Sequence, residues 1–356
     1  MNTHNFSAGP AVLPQPVLAK ASAAVIEFNH SGMSLLEISH RSKDFMAVME
    51  KAKQLVKELL GVPDGYSILF LQGGASLQFA MVPYNLLPEG GTAAYINTGV
   101  WATKAVKEAE LFGNTQVVAS SKDRNFCYIP KGFSIPSTSA YLHLTTNNTI
   151  YGTQYKTFPQ SPVAVVADMS SDIFSKKVNV ADFALIYAGA QKNMGPAGAT
   201  LVIVKDDILG KTGRKIPSML DYRVHIEGES LYNTPAVFSI YVSMLTLEWL
   251  KDNGGLSWIE RVNEQKAALF YSELDANHAF KAIADVADRS LMNATFVLKD
   301  ETLEPEFTKM LKEANIIGLK GHRSAGGFRA SMYNALPLES VKVLTDVMKE
   351  FGKKFG

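Results

Sequence analysis

Residues 163–204 read VAVVADMSSDIFSKKVNVADFALIYAGAQKNMGPAGATLVIV. Three apolar runs stand out in this stretch, Val163–Ala167, Phe183–Ala188 and Ala199–Val204. Each is continuous rather than alternating, which suits strands of a sheet buried on both faces. Asp168 closes the first run. Lys192 follows the second, inside Gly189-Ala190-Gln191-Lys192-Asn193-Met194-Gly195-Pro196. In open α/β sheets, ligands gather at the carboxyl ends of the strands, where these two residues fall.

The same pattern extends outward. Apolar runs at 67–71, 92–97, 115–119 and 140–145 predict four more strands, with helical periodicity from Gly73-Gly74-Ala75-Ser76 to Leu87 and over 101–112. Ahead of them, helices are expected at 15–28 and 43–60. Ser42 is the N-cap candidate for the second, and Gly61 and Pro63 stop it. After Asn233-Thr234-Pro235 two long helices follow, 236–252 and 256–277. The remainder then reads strand 291–298, helix 303–314, short strands 316–319 and 327–332, and helix 338–352. The expectation is an α/β fold with a mainly parallel seven-stranded sheet and a smaller α+β C-terminal domain. The expected divisions are an N-terminal segment 1–14, a large domain 15–254 and a small domain 255–356.

Composition narrows the function classes. The 356 residues are 47% hydrophobic and 19% charged, so a large core can form. Thirty-five Lys and Arg face 34 Asp and Glu, which argues against a nucleic-acid binder with its basic stripe. The lone Cys127 forms neither an internal disulfide nor a multi-cysteine zinc site, and no metal site is expected. The stretch MNTHNFSAGPAVLP lacks a signal-peptide pattern, and no apolar run is long enough to span a bilayer. A soluble protein of a reducing, cytoplasmic compartment is expected.

Three elements carry the chemistry. Gly73-Gly74-Ala75-Ser76 joins a strand to a helix, where glycines and free helix N–H groups can cradle a phosphate. Alone, such a turn is as readily steric. Asp168 read alone is first a helix cap, with Met169-Ser170-Ser171 as the opening turn. Lys192, flanked by Ala, Gly and Gln just past a buried strand, is poorly placed for a solvated surface lysine. A lysine amine can condense with an aldehyde cofactor, and a carboxylate can hold a pyridinium nitrogen in its charged form. The order cradle, acid, lysine therefore fits pyridoxal 5'-phosphate. Trp101, just past the strand ending at Asn97, could stack on the ring or simply pack a helix start.

Six stretches carry a resemblance: NFSAGPAVLP (5–14), ISHR (38–41), QGGAS (72–76), YAGAQKNMG (187–195), YNTP (232–235) and GHRSAGGFRASMYN (321–334). In these the chain resembles the phosphoserine aminotransferase family, within the class V, fold-type I pyridoxal-phosphate enzymes. The resemblance implies that Lys192 anchors the cofactor aldehyde, Asp168 binds its ring nitrogen, Trp101 stacks on the ring and Thr149 bonds the ring hydroxyl. Ala75, Ser76 and Gln191 would hold the phosphate, with Asn233 and Thr234 reaching it from the other subunit of a homodimer. His40, Arg41, His322 and Arg323 would receive the substrate's distal anion, and Arg329 its α-carboxylate. Ser76 and Ala8 stand where many relatives have Arg and Ser.

The substrate roles have a physical basis. The implied reaction, 3-phosphohydroxypyruvate with L-glutamate, alternates a distal carboxylate with a phosphate of about −1.5 to −2 charge. Arginine forks suit both anions. Histidine, with an unperturbed pKa of about 6.5, lets the pocket gain charge when the dianion enters. The analogous four-carbon phosphorylated substrate of pyridoxine synthesis is a further expectation. Competing readings are another class V aminotransferase or a cysteine desulfurase on the same scaffold, the latter needing Cys127 as nucleophile, a nucleotide-dependent oxidoreductase, for which the G-x-G-x-x-G is lacking, and a non-catalytic binding module, which leaves Lys192 unexplained.

Overall fold

The seven apolar runs assemble into one sheet, in the spatial order 66–71, 200–205, 185–189, 165–168, 142–145, 92–97 and 114–120. The structure is a computed structural model that describes residues 3–323 and 325–356. Thr200–Lys205 runs antiparallel to both neighbours, and the remaining pairings are parallel. The sheet is thus mainly parallel, as expected. Its register sets Thr145 beside Asp168 and Asp168 beside Tyr187.

Both faces of the sheet are covered, which is why its strands read as unbroken apolar runs. Side chains alternate between two cores. Leu142, Leu144, Ala167, Ile186 and Ile203 join one; Tyr141, Val166, Leu185, Tyr187 and Val202 join the other. Helices α1 (Gln15–Ile26) and α2 (Lys43–Leu60) cover the first face. The Ser42 hydroxyl caps α2 by accepting from the Phe45 amide, and Gly61 ends it in the left-handed region. Helices α3 (Gly74–Leu86) and α4 (Val100–Ala109) cover the second face, with Tyr222 of α5 (Tyr222–Glu227). By strand parity, Asp168 continues the face of Val166 and so points toward α3 and α4.

Helix α6 (Val237–Asp252) returns to the first face, and α7 (Gly255–Ala276) links the cores. Its Leu256 and Ile259 pack with the large sheet; its Ala267, Phe270 and Leu274 pack with a C-terminal core. That core lies on an antiparallel sheet of Phe280–Ala282, Asn293–Leu298 and Phe328–Ser331, with α8 (Glu304–Glu313) and α9 (Leu338–Phe355). Phe280, Phe296, Phe307, Phe328 and Phe351 meet there in edge and stacked contacts. The N-terminal residues join the same core, since His4–Asn5 pairs with Ile316–Ile317 and Phe6 is buried in it. Among the elements not expected are α5, the hairpin Asn147–Asn148 with Thr153–Gln154, and the short strands His4–Asn5 and Phe280–Ala282. Among the described residues no helix is long and apolar enough to cross a membrane.

Candidate active site

Three strand ends and two helix starts converge on a cavity of about 330 Å³. The strand Val165–Asp168 delivers Asp168, which is buried and accepts the Ser170 amide at 2.9 Å. Burial pushes its carboxyl pKa up, Ser170 and the Lys192 charge opposing. A buried carboxylate held by so little is stabilised by a cation placed against it.

The strand Leu185–Gly189 delivers Gln191 and Lys192. Lys192 Nζ donates to Thr149 Oγ1 at 2.9 Å. Burial draws its pKa down to about 8, with Asp168 opposing and Arg329 assisting. A lysine so tuned carries far more free amine at neutral pH than an exposed one.

The third wall is the start of α3. Gly73 is its N-cap in the left-handed region (φ 86°), and a Cβ there would lie 2.5 Å from Leu77 Cδ2. Gly74, Ala75 and Ser76 line the cavity, so the free amides of the first helical turn face it. Trp101 at the start of α4 completes that side, its indole N–H buried without a partner among the described residues and Lys104 Nζ 4.7 Å from its ring centre.

The fourth wall comes from the C-terminal half. Phe328 and Ala330 enter the C-terminal core, so the alternate residue Arg329 faces the cavity, donating to the Thr149 carbonyl at 3.3 Å. The loop bearing His322 and Arg323 is closed at its base by Gly321 N donating to the Gly327 carbonyl at 2.8 Å. His322 lines the rim. Its pKa is lowered by desolvation and by the charges of Arg329, Arg323 and Lys104. Over the top runs the N-terminal segment: Ala11 N donates to the Gln191 carbonyl at 2.9 Å, and a Cβ on Gly9 would stand 3.4 Å from Lys192 Cγ.

Of the residues expected from sequence, Ala75, Ser76, Trp101, Thr149, Asp168, Gln191, Lys192, His322 and Arg329 thus line one cavity. His40, Arg41, Asn233, Thr234 and Arg323 are not among its lining. Arg41 is exposed, and Asn233 Nδ2 donates to Gln72 Oε1 at 2.9 Å, beside the α3 turn. Sequence reasoning missed Thr145, Asn147, Ser170 and Ser171, which also line the cavity, and Lys104 beside Trp101. The polar run TTNNT directly after an apolar strand was the available signal for the first two. Cys127 lies off the cavity, its pKa raised by burial and by Asp285, whose Oδ1 is 3.9 Å from the thiol. That environment suits packing, not nucleophilic attack.

These residues fit pyridoxal phosphate on their own geometry: helix amides for a phosphate, an under-compensated buried acid for a pyridinium, an indole lining the cavity for a ring face and a depressed amine for an aldehyde. Comparison with known proteins agrees. The family profile Aminotransferase class-V matches residues 3–344. A phosphoserine aminotransferase of Flavobacterium psychrophilum is 63% identical over 355 residues, 99% of this chain and 100% of the relative. The chain belongs to the phosphoserine aminotransferases of class V. Solved members of the family share its fold closely. The enzyme from Bacillus circulans subsp. alkalophilus superposes with a TM-score of 0.97 at 46% identity, covering 100% of this chain and 99% of that one. The pyridoxal-phosphate-bound enzyme of Trichomonas vaginalis gives 0.93 at 35% identity, covering 98% of this chain and 100% of that one. The fold is therefore fold type I, and the chain is a pyridoxal-phosphate-dependent transaminase.

Proposed function

We propose that the chain transfers the amino group of L-glutamate to 3-phosphohydroxypyruvate, giving O-phospho-L-serine and 2-oxoglutarate. The observation that carries this reading is the joint placement, in one cavity, of Lys192, Asp168 and the α3 turn with Arg329 and His322. When bound, pyridoxal phosphate supplies an aldehyde and an electron-poor ring that accepts the electron pair released at the substrate's α-carbon.

The residues divide that work. Gly74, Ala75, Ser76 and Gln191 hold the phosphate, the helix amides donating to it. Asp168 keeps the ring nitrogen protonated, because its buried charge favours a cation beside it. Trp101 would cover the ring face, and Thr149 would bond the ring hydroxyl. Lys192 Nζ anchors the aldehyde. As a free amine, which its depressed pKa of about 8 favours, Lys192 Nζ would be the base that takes the proton from the amino substrate's α-carbon.

Arg329 takes the α-carboxylate. His322 and Arg323 receive the distal anion, in a field to which Lys104 adds. His40, Arg41, Asn233 and Thr234, which do not line the cavity of their own chain, are assigned to a second copy, making a homodimer with shared sites. The four-carbon phosphorylated analogue carries the same two anions farther apart and is a further substrate of the same grip. The reading places the enzyme in the cytoplasm.

The test is steady-state turnover with 2-oxoglutarate as acceptor. O-Phosphoserine should exceed alanine and aspartate in kcat/KM by about 100-fold or more, because a site built around an anion leaves its charges unpaired with smaller donors. Comparable values for all three donors would overturn the substrate assignment.

A further inference from the structure

Lys266 is a buried lysine with no salt bridge among the described residues. It lies on α7 with 0% relative exposure, and its Nζ donates to the backbone carbonyls of Met332 at 3.0 Å and Tyr333 at 2.7 Å. One turn earlier on the same helix Asn263, also at 0% exposure, donates to Asn334 Oδ1 at 2.9 Å and to the Ser175 carbonyl at 3.1 Å. Three consecutive residues, 332–334, are thereby held against α7 by polar bonds in an otherwise apolar packing layer.

That segment connects two parts of the site. It directly continues the strand Phe328–Ser331, which carries Arg329. On its other side Asn334 N donates to Asn193 Oδ1 at 3.0 Å, and Asn193 is the residue after Lys192. Tyr333 OH also donates to the Ala8 carbonyl at 2.9 Å, in the segment that passes over the cavity.

We infer that Lys266 is a positioning residue, which with Asn263 clamps residues 332–334 to α7 and so fixes Arg329 relative to Lys192. The inference rests on the proposed roles of those two residues. An apolar side chain would fill the same space but would leave the buried Met332 carbonyl without a donor, the Tyr333 carbonyl keeping only the Leu336 amide at 3.0 Å. Desolvation draws its pKa down to about 7, and the amine as well as the ammonium offers N–H donors to the carbonyls. Burying it therefore costs stability, consistent with a residue kept for geometry.

The test is Lys266→Met in the cofactor-loaded enzyme, read by hydrogen exchange and by kinetics. A clamp predicts faster exchange in two separate stretches, 328–334 and 190–195. It also predicts KM for glutamate raised about tenfold with kcat little changed, as displacement of Arg329 felt in substrate binding requires. Faster exchange confined to α7, with KM within about twofold of wild type, would overturn it. If that variant does not fold, Lys266→Gln, which keeps an N–H donor on a shorter stem, should shift both readouts the same way by less. No change in either stretch for Lys266→Gln would equally overturn the clamp. Wild-type turnover of O-phosphoserine tests the functional reading separately, and exchange does not depend on the substrate's identity.

Discussion

At the scale of the residue, the site is governed by what burial does to charge. Lys192 is an amine whose pKa desolvation draws down to about 8. Its free-base fraction therefore rises as pH passes through about 8, well below the range of an exposed lysine. Competitive acetylation of the apoprotein, followed by mass spectrometry, should show Lys192 reactivity rising with a midpoint near that pH. A midpoint in the ordinary lysine range would contradict the placement. His322 behaves in the opposite sense on binding. Desolvation and three neighbouring cations keep its pKa low in the free site. A phosphate dianion offsets those cations, so binding raises the pKa and protons are taken up. Calorimetry in buffers of differing ionisation heat should register net uptake near neutral pH, and His322→Asn should abolish it. Zero uptake by the wild type would remove His322 from the anion site.

At the scale of the element, α3 and α7 carry the sharpest expectations. Gly73→Ala places a Cβ 2.5 Å from Leu77 Cδ2 at a φ of 86°. It should cost about 1–3 kcal/mol in urea unfolding of the apoprotein and weaken cofactor binding. For α7, Lys266 has a folded-state pKa of about 7 against about 10.4 unfolded. Between those values the unfolded chain binds more protons, so wild-type stability rises with pH across that window. Lys266→Met should lose that rise, as pH-dependent denaturation would show.

Much of this was legible beforehand, because the strands are unbroken apolar runs and Asp168 and Lys192 sit just past two of them. What escaped has a physical reason. Apolar runs carry no direction, so the antiparallel course of Thr200–Lys205 could not be read. The hairpin after Thr145 is polar yet buried, its Asn147 and Asn148 satisfied by Ser171, Asn293 and Thr153, partners distant in sequence or across the turn. The pairing of His4–Asn5 with Ile316–Ile317 is two residues long, too short for any periodicity.

At the scale of the whole molecule, the account requires two copies. Asn233 and Thr234 stand beside Gln72, outside the cavity lining of their own chain. If each site borrows them from the partner, Lys192→Ala and an Asn233→Ala, Thr234→Ala double variant should each be nearly inactive alone. Their co-refolded mixture should regain activity, since one site of each mixed dimer is then intact. No regain would place those residues with their own chain. The central claim is that Lys192 anchors the cofactor in a site that turns over phosphoserine, and one labelling experiment reaches it most directly. The purified protein, loaded with pyridoxal phosphate, is reduced with borohydride with and without prior O-phosphoserine, then digested and mapped by mass spectrometry. The account predicts a phosphopyridoxyl group on the Lys192 peptide alone, lost when phosphoserine is added first; a label on another lysine, or one indifferent to phosphoserine, would contradict it.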